Sequence, residues 1–368
     1  NTDYSNGDTT MSRILVDQIR SNSASADAIT LDGSGNLTVP GNITLSGTAT
    51  GFPKGKATNL IVNGAMNVAQ RGSASNANNG PQTADRFGKY TNSTDETPVQ
   101  ERVDVASGTT PYTLGFRKAY KITNGNQTSG GSTTTRVGIE YKIEAQDLAT
   151  SGWNYTSSSS YITFSYWVRS SVAQNFYNTF GTDDGTSQRY VTETGSLSAN
   201  TWTKITKTIP GNSNLTFNND NGEGLEITWE CFRGTSQTGT RPLNAWAAAD
   251  NNTRTPDQTS TWYTTDDATF EITGVQLEVG DTATDFAHES YGESLARCQR
   301  YYHTVSQAVW NNQIYQNHYH PVTMRANPTI TSTSTGPDQS NKTNWYGKRS
   351  TGANTGGVSF DWTASAEL

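Results

Sequence analysis

Sugar recognition asks for flat aromatic faces against which the C–H bonds of a pyranose pack, with amides, carboxylates or guanidinium groups in reach of its hydroxyls. The stretch from Arg241 to Tyr263 carries that assortment: Arg241, Asn244, Trp246, Asp250, Asn251, Asn252, Arg254, Trp262 and Tyr263. No alternation there ties Trp246 to a strand. Trp153, Asn154 and Tyr155 form a second set. Each aromatic has a competing role as packing, since large rings are mostly buried. Glycoside hydrolysis needs two acids about 5 to 9.5 Å apart across a cleft. Asp183 and Asp184, like Asp266 and Asp267, are chain neighbours whose side chains diverge on an extended backbone, so neither pair makes an acid/base couple. Asp266 and Asp267 precede a strand, where jelly-roll modules often keep a calcium ion, but calcium takes six to eight oxygens and ordinary turn carboxylates are the alternative. His318-Tyr-His320 has metal-like spacing. On a strand both imidazoles share a side, and a threefold axis would gather six nitrogens into an octahedral site for a divalent ion. A solvent-facing pair is the other reading. His288 and His303 have no Ser or Cys arranged beside them as a nucleophile, and no Gly-rich phosphate loop occurs.

The elements that must position these residues are mostly strands. Tyr161 to Val168, Trp202 to Ile209, Leu225 to Cys231 and Phe270 to Leu277 read with period two, separated by loops rich in Asn, Gly, Ser and Thr. In the third run Leu225, Ile227, Trp229 and Cys231 share one face, while Glu226, Thr228 and Glu230 share the other, as in one sheet of a sandwich. Alternation assigns Trp167, Trp202 and Trp229 to the core. Many short antiparallel strands with long tip loops predict a jelly roll over residues 56–288. Ser290 and Glu293 have capping-box spacing and open one helix, 289–303, with Tyr291, Leu295, Cys298 and Tyr302 as its apolar stripe. Strands at Tyr301 to Val305, Gln313 to Tyr319 and Val358 to Trp362 make a small β tip over 304–368. Near the start, Ile29-Thr-Leu31, Leu37-Thr-Val39 and Ile43-Thr-Leu45 repeat an apolar-Thr-apolar triplet before a Gly turn. So thin a segment cannot enclose its own apolar faces. Residues 1–55 are therefore expected to form an attachment segment and a stalk shared by three chains, with a flexible linker as the alternative. The fold class is all-β.

Composition narrows the function classes. The 368 residues carry 26 Lys and Arg against 33 Asp and Glu, a net charge of −7, which argues against nucleic acid as a partner. Aromatics at 10% argue against disorder. No apolar run is long enough to span a bilayer, and the first ten residues lack the order of a signal peptide. Cys231 and Cys298 are too few to staple a secreted scaffold and read as buried thiols. A Thr-rich surface without the marks of secretion suits a virion protein made in host cytoplasm and released by lysis.

Several stretches resemble a family of tailed-bacteriophage fibre and appendage proteins, of the kind found in marine phages. They are Asn59 to Gly72, Thr83-Ala-Asp-Arg-Phe87, Ile272 to Gly280 with Ala283 to Phe286, and Ala296 to Tyr302; Pro321 to Pro328 and Ala364 to Leu368 look like the end of such chains. The resemblance implies a virion fibre, typically trimeric, whose sandwich is similar to a carbohydrate-binding module. The expectation is thus a non-enzymatic homotrimeric tail fibre that binds host-surface polysaccharide and joins other virion proteins through its first residues. Two alternatives are a polysaccharide depolymerase tailspike and a structural head fibre or adaptor without glycan contact.

Overall fold

The computed structural model describes residues 59–309, 316–332, 338–341, 343–348 and 358–368, with three short strands nearer the start. The chain divides into two compact units, Asn1–Gly55 and Lys56–Leu368. In the first, β1 (Gln18–Ile19), β2 (Ile29–Leu31) and β3 (Leu37–Thr38) form an antiparallel sheet in that order, with Leu31 opposite Leu37. Two of the sequence triplets therefore pair with each other within one chain. The third, at Ile43, lies outside the described residues.

The second unit is built on a sandwich of two antiparallel sheets. Its strands are β4 (Gly88–Asn92), β5 (Val99–Asp104), β6 (Lys118–Thr123), β7 (Arg136–Glu144), β8 (Tyr161–Ser170), β9 (Asn175–Thr182), β10 (Gln188–Ser196), β11 (Thr203–Pro210), β12 (Glu223–Arg233), β13 (Trp246–Ala248) and β14 (Thr269–Val279). One sheet runs β13-β10-β9-β12-β7-β4, the other β11-β8-β14-β6-β5. Alternation sends Ile139, Tyr141, Phe180, Tyr190, Leu225, Ile227 and Trp229 inward from the first sheet against Tyr120, Ile162, Phe164, Tyr166, Ile272 and Leu277 of the second. Phe164 meets Phe180 edge-on at 5.1 Å and Tyr166 meets Trp229 at 5.8 Å, the tilted contacts that aromatic quadrupoles favour. Trp229 is core as expected, but Trp167 and Trp202 are not. In β8 the inward set is Ile162, Phe164, Tyr166 and Val168, which leaves Trp167 on the opposite face. It joins Trp202, Tyr112 and Phe286 in a half-buried cluster around Phe116 and Val105.

The expected helix is α4 (Tyr291–Gln299), following the single turns α1 (Thr110–Thr113), α2 (Ala145–Ala149) and α3 (Thr261–Thr264). Ser290 Oγ accepts from the Glu293 amide and the Glu293 carboxylate accepts from the Ser290 amide, closing the capping box. Cys298 packs with Val62, Val68 and Tyr301. Tyr291 is exposed, so the buried stripe starts one turn later, at Leu295. Beyond it come β15 (Tyr302–Val309), β16 (Gln316–Tyr319), β17 (Thr329–Ser332), β18 (Asp338–Asn341), β19 (Trp345–Lys348) and β20 (Val358–Ser365). They form the antiparallel sheets β15-β20-β17 and β16-β19-β18.

The stretches that resemble phage fibres converge on one another. The Asn59 side chain accepts from the Leu277 amide (3.0 Å) and donates to the Val275 carbonyl (3.0 Å). A Cβ at Gly64 would lie 2.0 Å from the Val275 carbonyl oxygen, so only glycine fits there. Asp85 accepts from Gln70 Nε2 at 2.6 Å, and Gln70 also donates to the Tyr302 carbonyl at 2.6 Å. Arg86 ion-pairs with Glu367, donates to the Lys142 carbonyl at 2.6 Å and lies 3.5 Å above the Tyr301 ring. Arg71 reaches Glu367 at 3.2 Å and stacks on Tyr302. Burial would drive the Arg86 guanidinium toward deprotonation, but the Glu367 charge outweighs it and holds its pKa above the ordinary value. Removing one member strands a buried charge. Glu367→Ala should cost about 3 kcal/mol in urea unfolding followed by tryptophan fluorescence; a loss under about 0.5 kcal/mol would show that the clasp does not hold the unit together.

His303 and His320 meet between the end of α4 and β20. Their rings share a 2.7 Å hydrogen bond beside Trp362, and both are buried. Burial first, and His320 second, press the His303 pKa from 6.5 down to about 4. The unfolded chain takes up this proton below pH 6.5 while the folded one refuses it until about pH 4. The contribution is thus complete above 6.5 and is lost as pH falls through that window, by up to about 3 kcal/mol. His303→Gln should unfold with a shallower stability slope than the parent between pH 6.5 and 4; equal slopes would count against the assignment.

Candidate functional site

The loop aromatics singled out by the sequence do not form a sugar platform. Trp262 and Tyr263 lie on α3 and are fully buried. Trp262 Nε1 donates to the Thr269 carbonyl at 3.1 Å, and Tyr263 stacks on Phe232 with centroids 4.4 Å apart and donates to Gln127 at 3.0 Å. Trp153, also buried, donates to the Ser160 carbonyl and packs with half-buried Tyr155 against Phe217. Trp246 sits on edge strand β13, faces inward onto Tyr190 at 5.3 Å and donates to the Pro210 carbonyl at 2.7 Å. The correction has one physical reason: rings this large gain most by closing the open ends of the sandwich, and each indole or phenol finds a partner there. Arg241 is buried as well, donating to the Arg189, Ala247 and Ala248 carbonyls. Asn244 is exposed with φ +56°, and Asp250 is exposed, accepting from the Asn252 amide and the Thr253 hydroxyl.

The metal candidates separate too. Asp266 and Asp267 are both exposed, and no group of three His, Cys, Asp or Glu able to hold a metal ion exists among the described residues. His320 is turned into its own chain against His303, not toward an axis. The His318 side chain lies outside the described residues.

What the strands do assemble is a polar face on the outer side of the six-stranded sheet. The inter-strand register sets Arg189, Gly181, Glu226 and Lys142 in one row across β10, β9, β12 and β7. The next row is Val191, Thr179, Thr228, Glu140 and Gly88. A third holds Glu193, Tyr177, Glu230, Gly138 and Tyr90. At this last row the face is sealed: Tyr90 crosses Gly138 to bond Glu230, which also accepts from Arg233 Nη2 at 2.5 Å and Thr228 at 2.8 Å. The chain leaving β12 at Arg233 crosses toward β13, and Arg233 donates to Gln237 at 2.5 Å. Glu140, Lys142, Glu223 and Glu226 remain half-buried. Gly181, between Arg189 and Glu226, is buried, and a Cβ added there would be in ordinary van der Waals contact with Glu226 Oε2 at 3.9 Å.

The electrostatics of the face are unusual. Burial, followed by the nearby Glu226 and Glu223 charges and opposed by Lys142, pushes the Glu140 carboxyl from 4.5 up to about 7. Burial also raises Glu223, although Lys142 pairs with it at 2.8 Å. Burial works to lower the Lys142 ammonium, but the Glu223 hydrogen bond and charge lift it above its ordinary value. Near neutral pH the face offers a carboxyl able to donate or accept, an ammonium and further carboxylates, a set suited to hydroxyl groups. Sequence reasoning placed Glu226, Thr228 and Glu230 on the non-core face but not their partners. The alternation of Arg136, Glu140 and Lys142 in β7 was the available signal.

Glu140→Gln tests these electrostatics. The folded protein holds the Glu140 proton up to about pH 7 while the unfolded chain releases it near 4.5, so the native state loses stability as pH rises through that interval. The variant should be more stable than the parent at pH 8 by about 1 to 3 kcal/mol after allowance for solvent screening, and equal to it at pH 4.5. A parent more stable at pH 8 would refute the raised value.

No protein-family model and no curated protein matches the sequence. Among solved structures, the chain is similar to the enzymatically active domain of tailspike protein 4 of bacteriophage CBA120 (TM-score 0.33, 9% identity), over 60% of this chain and 21% of that one. It is similar to the N-terminal cellulose-binding domain of Cellulomonas fimi β-1,4-glucanase C (TM-score 0.28, 11% identity), over 59% of this chain and 99% of that one. A further likeness is to the CBM22-1 and GH10 modules of Clostridium thermocellum xylanase 10B in complex with xylohexaose (TM-score 0.26, 10% identity), over 50% of this chain and 25% of that one.

Proposed function

We propose that the chain is a glycan-binding component of a virion fibre, non-enzymatic, assembled as a homotrimer through residues 1–55 and recognising host-surface polysaccharide on the outer face of its six-stranded sheet. The observation that carries the binding reading is the row Arg189, Gly181, Glu226 and Lys142, which sets three charged side chains at fixed spacing across adjacent strands of one sheet. Such a row fixes hydrogen-bonding groups at set spacing, which repeated sugar hydroxyls can match. The fibre reading is supported by the sequence stretches that resemble phage appendages. Binding of purified bacterial surface polysaccharides, measured by calorimetry on the whole chain, should weaken at least tenfold in the double variant Glu226→Ala, Lys142→Ala; unchanged affinity would move the site elsewhere. Sedimentation should find three copies together, and a monodisperse 39.8 kDa particle would remove the trimer.

One observation favours the depolymerase as a second reading. Glu140 is a carboxyl with a raised pKa, and Glu226 lies on the adjacent strand and the same face, the pairing of an acid with a base. Release of reducing ends from a bound polysaccharide, abolished by Glu140→Gln, would establish it.

A further inference from the structure

Four buried arginines, Arg86, Arg189, Arg233 and Arg241, differ in what they face. Arg86 is paired with Glu367, and Arg233 with Glu230. Arg189, only 6% exposed, has no carboxylate within ion-pair distance among the described residues. Its Nη1 donates to the Asp250 carbonyl at 3.1 Å and its Nε has no hydrogen-bond partner. Its Nη2 makes no hydrogen bond among the described residues, yet is not sealed from solvent. The neighbouring Arg241 and Arg254 add to its positive charge. Arg241 spends its hydrogen bonds on backbone carbonyls, and Arg254 binds the Asn251 side-chain oxygen. Burial first, then the Arg254 charge, lower the Arg189 pKa to about 10 against the opposing Glu226 and Glu230 charges, opposite to the direction at Arg86 and Arg233.

A buried guanidinium with no carboxylate in direct contact is costly, and an arriving anion that forms charge-assisted hydrogen bonds with it reduces that cost. Arg189 Nη2, without a hydrogen bond among the described residues and not sealed from solvent, is the atom that such a group would meet. We infer that this face takes an acidic glycan, one whose sugar carries a carboxylate or sulfate group, and that Arg189 is the residue that receives the anion. The inference rests on the glycan-binding reading and narrows it to a substrate class. Lys142, at the other end of the row, lies beside Glu223 and is already paired, so the anionic substituent belongs at the β10 end and the neutral hydroxyls at the β7 end.

The test is calorimetric binding of the whole chain to oligogalacturonate, oligoglucuronate, oligomannuronate and sulfated galactan oligomers. Each uronate is compared with its methyl ester, and the sulfated galactan with its desulfated form. The expected result is at least one acidic oligomer bound tenfold or more tightly than its neutral counterpart, with that margin shrinking as salt is raised and abolished in Arg189→Gln. Which acid wins distinguishes carboxylate from sulfate. Should Arg189→Gln fail to fold, as judged by circular dichroism, the parent's acid-to-neutral ratio and the half-buried Arg254→Gln variant, expected to weaken acidic ligands severalfold, decide the matter. Equal binding of acidic and neutral forms, or full affinity in a folded Arg189→Gln, overturns the inference while leaving glycan binding intact. Failure of every oligomer, acidic and neutral, overturns both.

Discussion

The ion pair between Arg86 and Glu367 joins positions 281 residues apart, and the arrangement of the second unit follows from it. Arg86 is buried within the sandwich and can stay charged there only beside a carboxylate, while Glu367 belongs to the last residues of the chain. Satisfying one charge therefore brings the terminal strands back onto the sheet. The same junction draws in Tyr301 and Tyr302, through guanidinium stacking, and Glu144, which accepts from Arg300 at 2.7 Å and from the Tyr301 hydroxyl at 2.6 Å. Helix α4 is fastened to the start of the unit by Arg297, which donates to the Asn59 carbonyl at 3.0 Å and also pairs with Glu289 ahead of the helix cap. In a chain with only 32% hydrophobic residues, such polar contacts add definition to the core.

Buried arginines consequently fall into two groups with different physical meaning. Arg86 pairs with Glu367 and Arg233 with Glu230, so each has its counter-charge within the chain. Arg189 and Arg241 are surrounded by backbone carbonyls and by each other, and they lie at the edge of a sheet face that is half-open. The net charge of −7 makes the second group more telling, because acidic residues are plentiful and yet Glu226, Glu230 and Asp250 act on it only from beyond ion-pair distance.

Much of this architecture was legible in the sequence. The period-two runs at Tyr161, Leu225 and Phe270 became β8, β12 and β14, and Ser290 with Glu293 became a complete capping box, because both signals are local and their geometry fixes the outcome. Trp167 was misplaced because three consecutive large residues, Tyr166, Trp167 and Val168, blur which parity faces the core. The binding face was barely legible. It is made of residues from β7, β9, β10 and β12 whose juxtaposition depends on strand order, and no spacing within a single strand reveals that Arg189 and Glu226 flank Gly181. Loop aromatics drew attention instead, although Trp262 and Tyr263 were spent on closing the core.

The chemistry of the face also bears on how recognition would work. Among the described residues the exposed large aromatic rings are Tyr291 and Tyr319, and neither lies on this face. Without an open ring for a pyranose to stack on, selectivity must come from hydrogen bonds and charge, whose net worth in water is modest because every contact replaces one with solvent. A single polar site of this kind binds weakly. Placed on a rigid sheet and repeated by copies held together, the same site gains effective concentration without any new contact. On the proposed reading, weak individual contacts would serve a purpose: each copy would release readily, so that a repeating acidic polymer would be sampled along its length while a multi-copy assembly stayed attached.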